Sequence, residues 1–180
     1  MTTTTMPRQF IQTNSKPKPR LAGALYVASV STAVVGESLL HGGAAVLAGL
    51  VAVIGMIAVA LLVFEIFKHV NNSLALLATG FSIAGGALEA IRLNPWGVDL
   101  AVVLHGCYCI GFGYLMFRAN SLPRIFGVTM ALAGLSWLLF LSPALVERTS
   151  TYALGVGFAG EALPMLWLLV IGTKLQAASK

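Results

Sequence analysis

Apolar residues along this chain fall into long unbroken stretches divided by short polar clusters. The first three stretches run from Leu21 to Leu40, Ala44 to Phe67 and Ser73 to Ile91. The next three run from Gly97 to Phe117, Ile125 to Leu141 and Tyr152 to Thr173. Each holds about 17–24 residues, the length a helix needs to cross a hydrocarbon core of ~30 Å at 1.5 Å per residue. The dividers are polar or helix-breaking: Lys68 to Asn72, Arg92 to Pro95, Arg118 to Arg124, and Ser142-Pro143 followed by Glu147 to Ser150. Lipid offers no hydrogen-bond partners, and a helix satisfies its own backbone. Alternation with a period of two is absent from these stretches, so they are not barrel strands. The pattern therefore predicts an all-α fold, a polytopic transmembrane bundle of about six helices.

The remainder of the chain is short. Residues 1–19 are rich in Thr, Pro and Lys with no apolar period, which predicts a disordered cytoplasmic tail. Residues 20–175 form the transmembrane domain, and 176–180 a second cytoplasmic tail. The first apolar stretch is about 20 residues, longer than the roughly 7–15 of a signal-peptide core, and reads as a retained span.

Composition strengthens this picture. Hydrophobic residues make up 58% of the 180 and charged residues 9%, against roughly 25% charged in an ordinary soluble domain. Mean hydropathy is +0.89. The net charge of +5 matters through its placement, because the basic residues sit at the ends of the apolar stretches. That placement suits anionic lipid headgroups and points away from nucleic acid. With the N-terminus in the cytoplasm, the inner segments hold Arg8, Lys16, Lys18, Arg20, Lys68, Arg118, Arg124, Lys174 and Lys180, and the outer ones only Arg92 and Arg148. The positive-inside rule then places both termini in the cytoplasm.

Small residues at four-residue spacing mark close helix contacts. The third span has Ala78, Ser82, Gly86 and Ala90, the fifth Gly127 and Ala131, and the sixth Gly155 and Ala159. Pro164 is expected to kink the sixth span.

Ionisable residues inside the spans carry the chemical information, since an ionised group near the bilayer centre costs about 2.5–3.5 kcal/mol or more. Depths follow from counting at 1.5 Å per residue from each span's midpoint. Glu37 lies roughly 9 Å outward, Glu89 roughly 10 Å, Glu161 ~2–3 Å and His105 ~3 Å. These four come from four different helices and share the middle-to-outer half, which predicts one polar pocket opening outward. The plainer readings are an interfacial pair of Glu89 with Arg92, a snorkelling Glu37, and Glu161 as interhelical glue. Glu65 stands three residues before Lys68 at the inner border and is expected to pair with it.

His105 and Cys109 are four apart on one helix face, with Cys107 pointing elsewhere. Metal sites need three or four converging ligands, and one His with one thiol falls short, so no metal and no cofactor is expected. Haem would need an axial ligand such as His105, and nothing else in the chain supports it. His41 and His69 sit at opposite borders and read as solvated. No P-loop, GxSxG, HExxH, CxxC or GxGxxG occurs. Trp96, Trp137 and Trp167 read as interface or packing residues.

Several segments resemble a known family. Arg20-Leu21-Ala22-Gly23-Ala24-Leu25-Tyr26 is similar to the opening of the bacterial membrane family called domain of unknown function 4386. The run from Gly113 to Gly127, GYLMFRANSLPRIFG, resembles its central GYLxFRSxxLPRxLG signature. Gly160-Glu161 with Leu166 to Val170 is similar to its last helix, and Lys68, Val70 and Asn71 with Leu74 to Leu77 fit its second loop. The likeness spans about residues 20 to 175. The sequence departs from the family at His69, where a proline is usual, and at Gly86, where an arginine is usual. The resemblance implies a six-helix bacterial inner-membrane protein and brings no activity with it.

The leading functional expectation is binding or transport of a small molecule or a proton through an outer-facing carboxylate pocket of Glu37, Glu89, His105 and Glu161. Its partners are the lipid bilayer, a small-molecule ligand and, because six helices are few for a transporter, a second copy of the chain. The alternatives are a structural or partner-binding membrane subunit, and a membrane-embedded enzyme or cofactor protein using His105 with Glu161.

Overall fold

The computed structural model describes residues 18–92, 95–119 and 122–171. The N-terminal tail, Lys174 and the C-terminal tail lie outside the described residues, as does Thr173 at the predicted end of the sixth span. Six long helices follow one another: α1 (Lys18–Leu39), α2 (Gly43–Phe67), α3 (Asn72–Ala90), α4 (Leu100–Arg118), α5 (Arg124–Leu138) and α6 (Pro143–Ile171). Short 3₁₀ turns at Pro95–Gly97 and Leu139–Leu141 precede α4 and extend α5. No strand occurs among the described residues. All six helices are long and apolar enough to cross a membrane.

Local chemistry sets the boundaries. Asn71 caps α3 by accepting the Leu74 N–H at 3.0 Å, and Asp99 caps α4 by accepting the Val102 N–H at 3.2 Å. A capping side chain supplies one of the acceptors that the first turn of a helix lacks. The chain turns after α1 at Gly42, whose φ of 62° lies in the left-handed region that favours glycine.

Consecutive helices pack side by side, and α1 packs against α6, so the bundle closes into a ring. α4 is the most enclosed helix, with half of its span buried, against 22–33% for the others. Its Tyr108, Cys109, Phe112, Leu115 and Met116 meet Val59, Val63 and Phe67 of α2, Met130 and Trp137 of α5, and Met165 and Leu168 of α6 in one core. Outside, the surface is apolar: Leu47 is 66% exposed, Ile54 66% and Val170 67%. An exposed apolar surface of this extent has lipid as its solvent.

The small-residue stripes are realised in part. A Cβ at Gly127 would stand 2.6 Å from the Gly113 carbonyl oxygen, so α4 and α5 approach as closely as their backbones allow. On α3, Ala78 and Ser82 are buried, and Ala90 is exposed beyond the contact. The expected stripe of the sixth span is corrected. Gly155 has open space around it and Ala159 is exposed. The packed face of α6 is Ala153, Gly157, Gly160 and Pro164. The sixth helix also begins nine residues earlier than predicted, at Pro143 rather than Tyr152. Its first turns carry Glu147 and Arg148, and polar residues extend a helix as readily as apolar ones once it clears the lipid.

Candidate functional site

Glu161 is the most buried acidic residue described, at 2% exposure. It sits on the packed face of α6, one residue beyond Gly160. A Cβ at Gly160 would stand 2.9 Å from the Ala133 side chain, so α5 lies directly against α6 here. That approach sets the Glu161 carboxylate between α4, α5 and α6.

Three side chains meet it. Nε2 of His105 lies 3.0 Å from Oε1, the Cys109 thiol donates to Oε1 at 3.4 Å, and the Trp137 indole N–H donates to the same oxygen. His105 and Cys109 are one helical turn apart on α4, and the (i, i+4) spacing places both on one face. Trp137 comes from the end of α5, and its ring is fixed edge-on against Phe158, with ring centroids 5.3 Å apart. Gly157 makes room for that ring: a Cβ there would fall 2.6 Å from Trp137 Cε2. His105 stacks on Tyr108 with centroids 5.3 Å apart. Its side chain is 24% exposed, against 3% for that of Glu161.

The ligand-capable atoms of His105, Cys109 and Glu161 all lie within 4.8 Å of one another. The sequence alone offered His105 with Cys109 and no third donor. α6 supplies that donor across 52 residues, so the expectation that these residues cannot hold a metal loses its premise.

The other expected members stand elsewhere. Glu37 and Glu89 are exposed, near the ends of α1 and α3. Among the described residues neither shares a hydrogen bond with the Glu161 group, so of the four expected residues the structure brings His105 and Glu161 into contact and leaves Glu37 and Glu89 exposed. The rotation of each helix about its axis was not legible in the sequence. Glu89 forms no ion pair with Arg92 among the described residues. Arg92 has left-handed backbone, with φ of 52°, which takes it off the α3 helical path. Glu65 does pair with Lys68, at 2.7 Å, and a second lysine, Lys18 of α1, joins it at 3.4 Å.

Trp137 was expected to be an interface or packing residue, and the structure also makes it a donor to Glu161. No sequence signal marked it, because its partner lies 24 residues away on another helix. Beside the centre, Tyr26, Val27, Val30, Val34, Phe158 and Ala162 line an apolar cleft of about 290 Å³ between α1 and α6.

Compared with curated proteins and with solved structures, the chain matches none. Residues 87–172, from the end of α3 through α6, match the family described as Domain of unknown function (DUF4386), in keeping with the resemblance read from the sequence.

Proposed function

We propose that this membrane protein binds or transports a small cation or a proton, with Glu161 as its charged centre. The observation that carries this reading is the burial of a carboxylate at 2% exposure inside a bundle whose outer surface is lipid-facing. Taking an anion out of water is costly unless it is paired, and ionisable groups at such depth are rare and serve ion or proton pathways. His105 stands in the second turn of α4, at the end of the bundle that also carries Glu37, Glu89 and Asp99. An acidic rim raises the local concentration of cations there. We place that end outside, with both termini in the cytoplasm of a bacterial cell and the bundle in its inner membrane. The support is the nine-to-two distribution of Lys and Arg.

A second reading has its own observation. Three donors on one carboxylate oxygen tie α4 and α5 to α6, which is what a purely structural clamp would do. Thermal unfolding in detergent of the unaltered chain and of Glu161→Gln separates the two. The comparison runs from about pH 5 to 8, where a histidine ordinarily changes charge. The titratable groups facing Glu161 are His105, Tyr108 and Cys109 of α4 and Tyr26 of α1, while α5 offers only the uncharged Trp137. A functional carboxylate predicts that Glu161→Gln flattens the pH dependence of the melting temperature. A uniform lowering at every pH, parallel to the unaltered chain, assigns the residue to the clamp and ends the binding proposal.

A further inference from the structure

We infer that His105, Cys109 and Glu161 form a binding site for a divalent transition-metal ion of the zinc class, with one coordination position left open. This deepens the reading of Glu161 as a cation-binding carboxylate and rests on it.

Two of the three donor separations are close to what such an ion requires, and the third, between His105 and Cys109, lies within 4.8 Å and would close on binding. With metal–nitrogen and metal–oxygen bonds of ~2.0 Å and a metal–sulfur bond of ~2.3 Å, tetrahedral ligand atoms lie roughly 3.3–3.6 Å apart. Here the nitrogen–oxygen separation is 3.0 Å and the sulfur–oxygen separation 3.4 Å. An ion seated among them displaces the Cys109 thiol proton to solvent and binds Nε2 of His105 in the tautomer that carries its hydrogen on Nδ1. That oxygen then keeps two partners, the ion and the Trp137 N–H, which matches its two lone pairs. Trp137 becomes the outer group that orients the carboxylate.

Charge favours the same occupant. A thiolate and a carboxylate carry two negative charges, and imidazole binds a metal in its neutral form. A divalent ion therefore brings the site to net zero, the condition under which a buried polar group in lipid costs least. Nitrogen, sulfur and oxygen together suit a borderline ion such as Zn²⁺ or Co²⁺, whereas Mg²⁺ and Ca²⁺ take oxygen ligands. Three protein ligands leave the fourth position for water or a passing ligand, as at exchangeable rather than closed structural sites.

The test uses the full, untagged chain in detergent micelles, titrated with Co²⁺ and then displaced by Zn²⁺. One Co²⁺ per chain is expected, with a sulfur-to-cobalt charge-transfer band in the near ultraviolet and d–d bands in the visible. Cys109→Ser abolishes the charge-transfer band, while Cys107→Ser leaves it intact. His105→Gln weakens binding by more than the roughly 10–100-fold that loss of an outer-shell partner costs, and Trp137→Phe weakens it within that range. Zn²⁺ raises the melting temperature of the unaltered chain and Mg²⁺ does not, a readout that needs no variant to fold. Cobalt bound without the charge-transfer band, or a band that survives Cys109→Ser, overturns the site. So does an unaltered chain that binds no Co²⁺ and gains no stability from Zn²⁺. In that last case Glu161→Gln in metal-free buffer still decides the carboxylate reading separately, through the pH dependence of unfolding.

Discussion

Two glutamates, Glu65 and Glu161, solve the same problem in opposite ways. Glu65 stands at the end of α2 with its side chain 37% exposed, and pairs with Lys68 one turn on and Lys18 of α1. Its partners are cations on long flexible stems, themselves half exposed. Glu161 sits inside the bundle with a histidine, a thiol and an indole as partners. None of these is a fixed cation. A carboxylate in lipid is usually silenced by a lysine or arginine, and this one is left with groups that can give up a proton or a place. On the proposed reading, the difference separates an anchoring charge at the end of a helix from a charge available for exchange.

Breaking the comparison at its buried end gives the largest effect. Glu161→Ala leaves His105, Cys109 and Trp137 directed at empty space, and should cost about 3–5 kcal/mol of stability, the penalty for removing one partner of a buried pair. Thermal unfolding in detergent measures it, and a loss no greater than that of Glu65→Ala would erase the distinction. Next comes the packing that holds Trp137. Gly157→Ala drives a methyl into the indole ring and should cost about 1–3 kcal/mol, the usual penalty of overpacking. It should also weaken metal binding by displacing the donor to Glu161. Gly155→Ala, two residues away on the open face, should cost nothing measurable, and equal effects of the two would refute the assignment of the packed face. The smallest effect belongs to the border. Glu65→Gln should leave the melting temperature unresolved from that of the unaltered chain, and any difference should fade as added salt screens exposed charges.

The number and order of the spans were legible in the sequence because lipid imposes one length and one kind of backbone. The Glu65–Lys68 pair was legible too, since residues three apart on a helix are neighbours whatever surrounds them. The sixth helix was read short because hydropathy marks where lipid is and says nothing of a helix that continues beyond it. Its small-residue stripe was misread because both sets of residues keep similar spacing on one helix, and only a neighbour decides which set is packed.

The sequence by itself determined that charge within the spans is scarce, that Glu161 falls inside an apolar stretch, and that His105 and Cys109 share a helix face. Those properties depend on chain distance and helical repeat alone. The tertiary structure decided which ionisable groups meet. The ring of helices turns Glu161 toward His105, Cys109 and Trp137 and leaves Glu37 and Glu89 at the rim. Rotation about each helix axis is set by side chains packed across the bundle, and no local pattern in any one span contains that information.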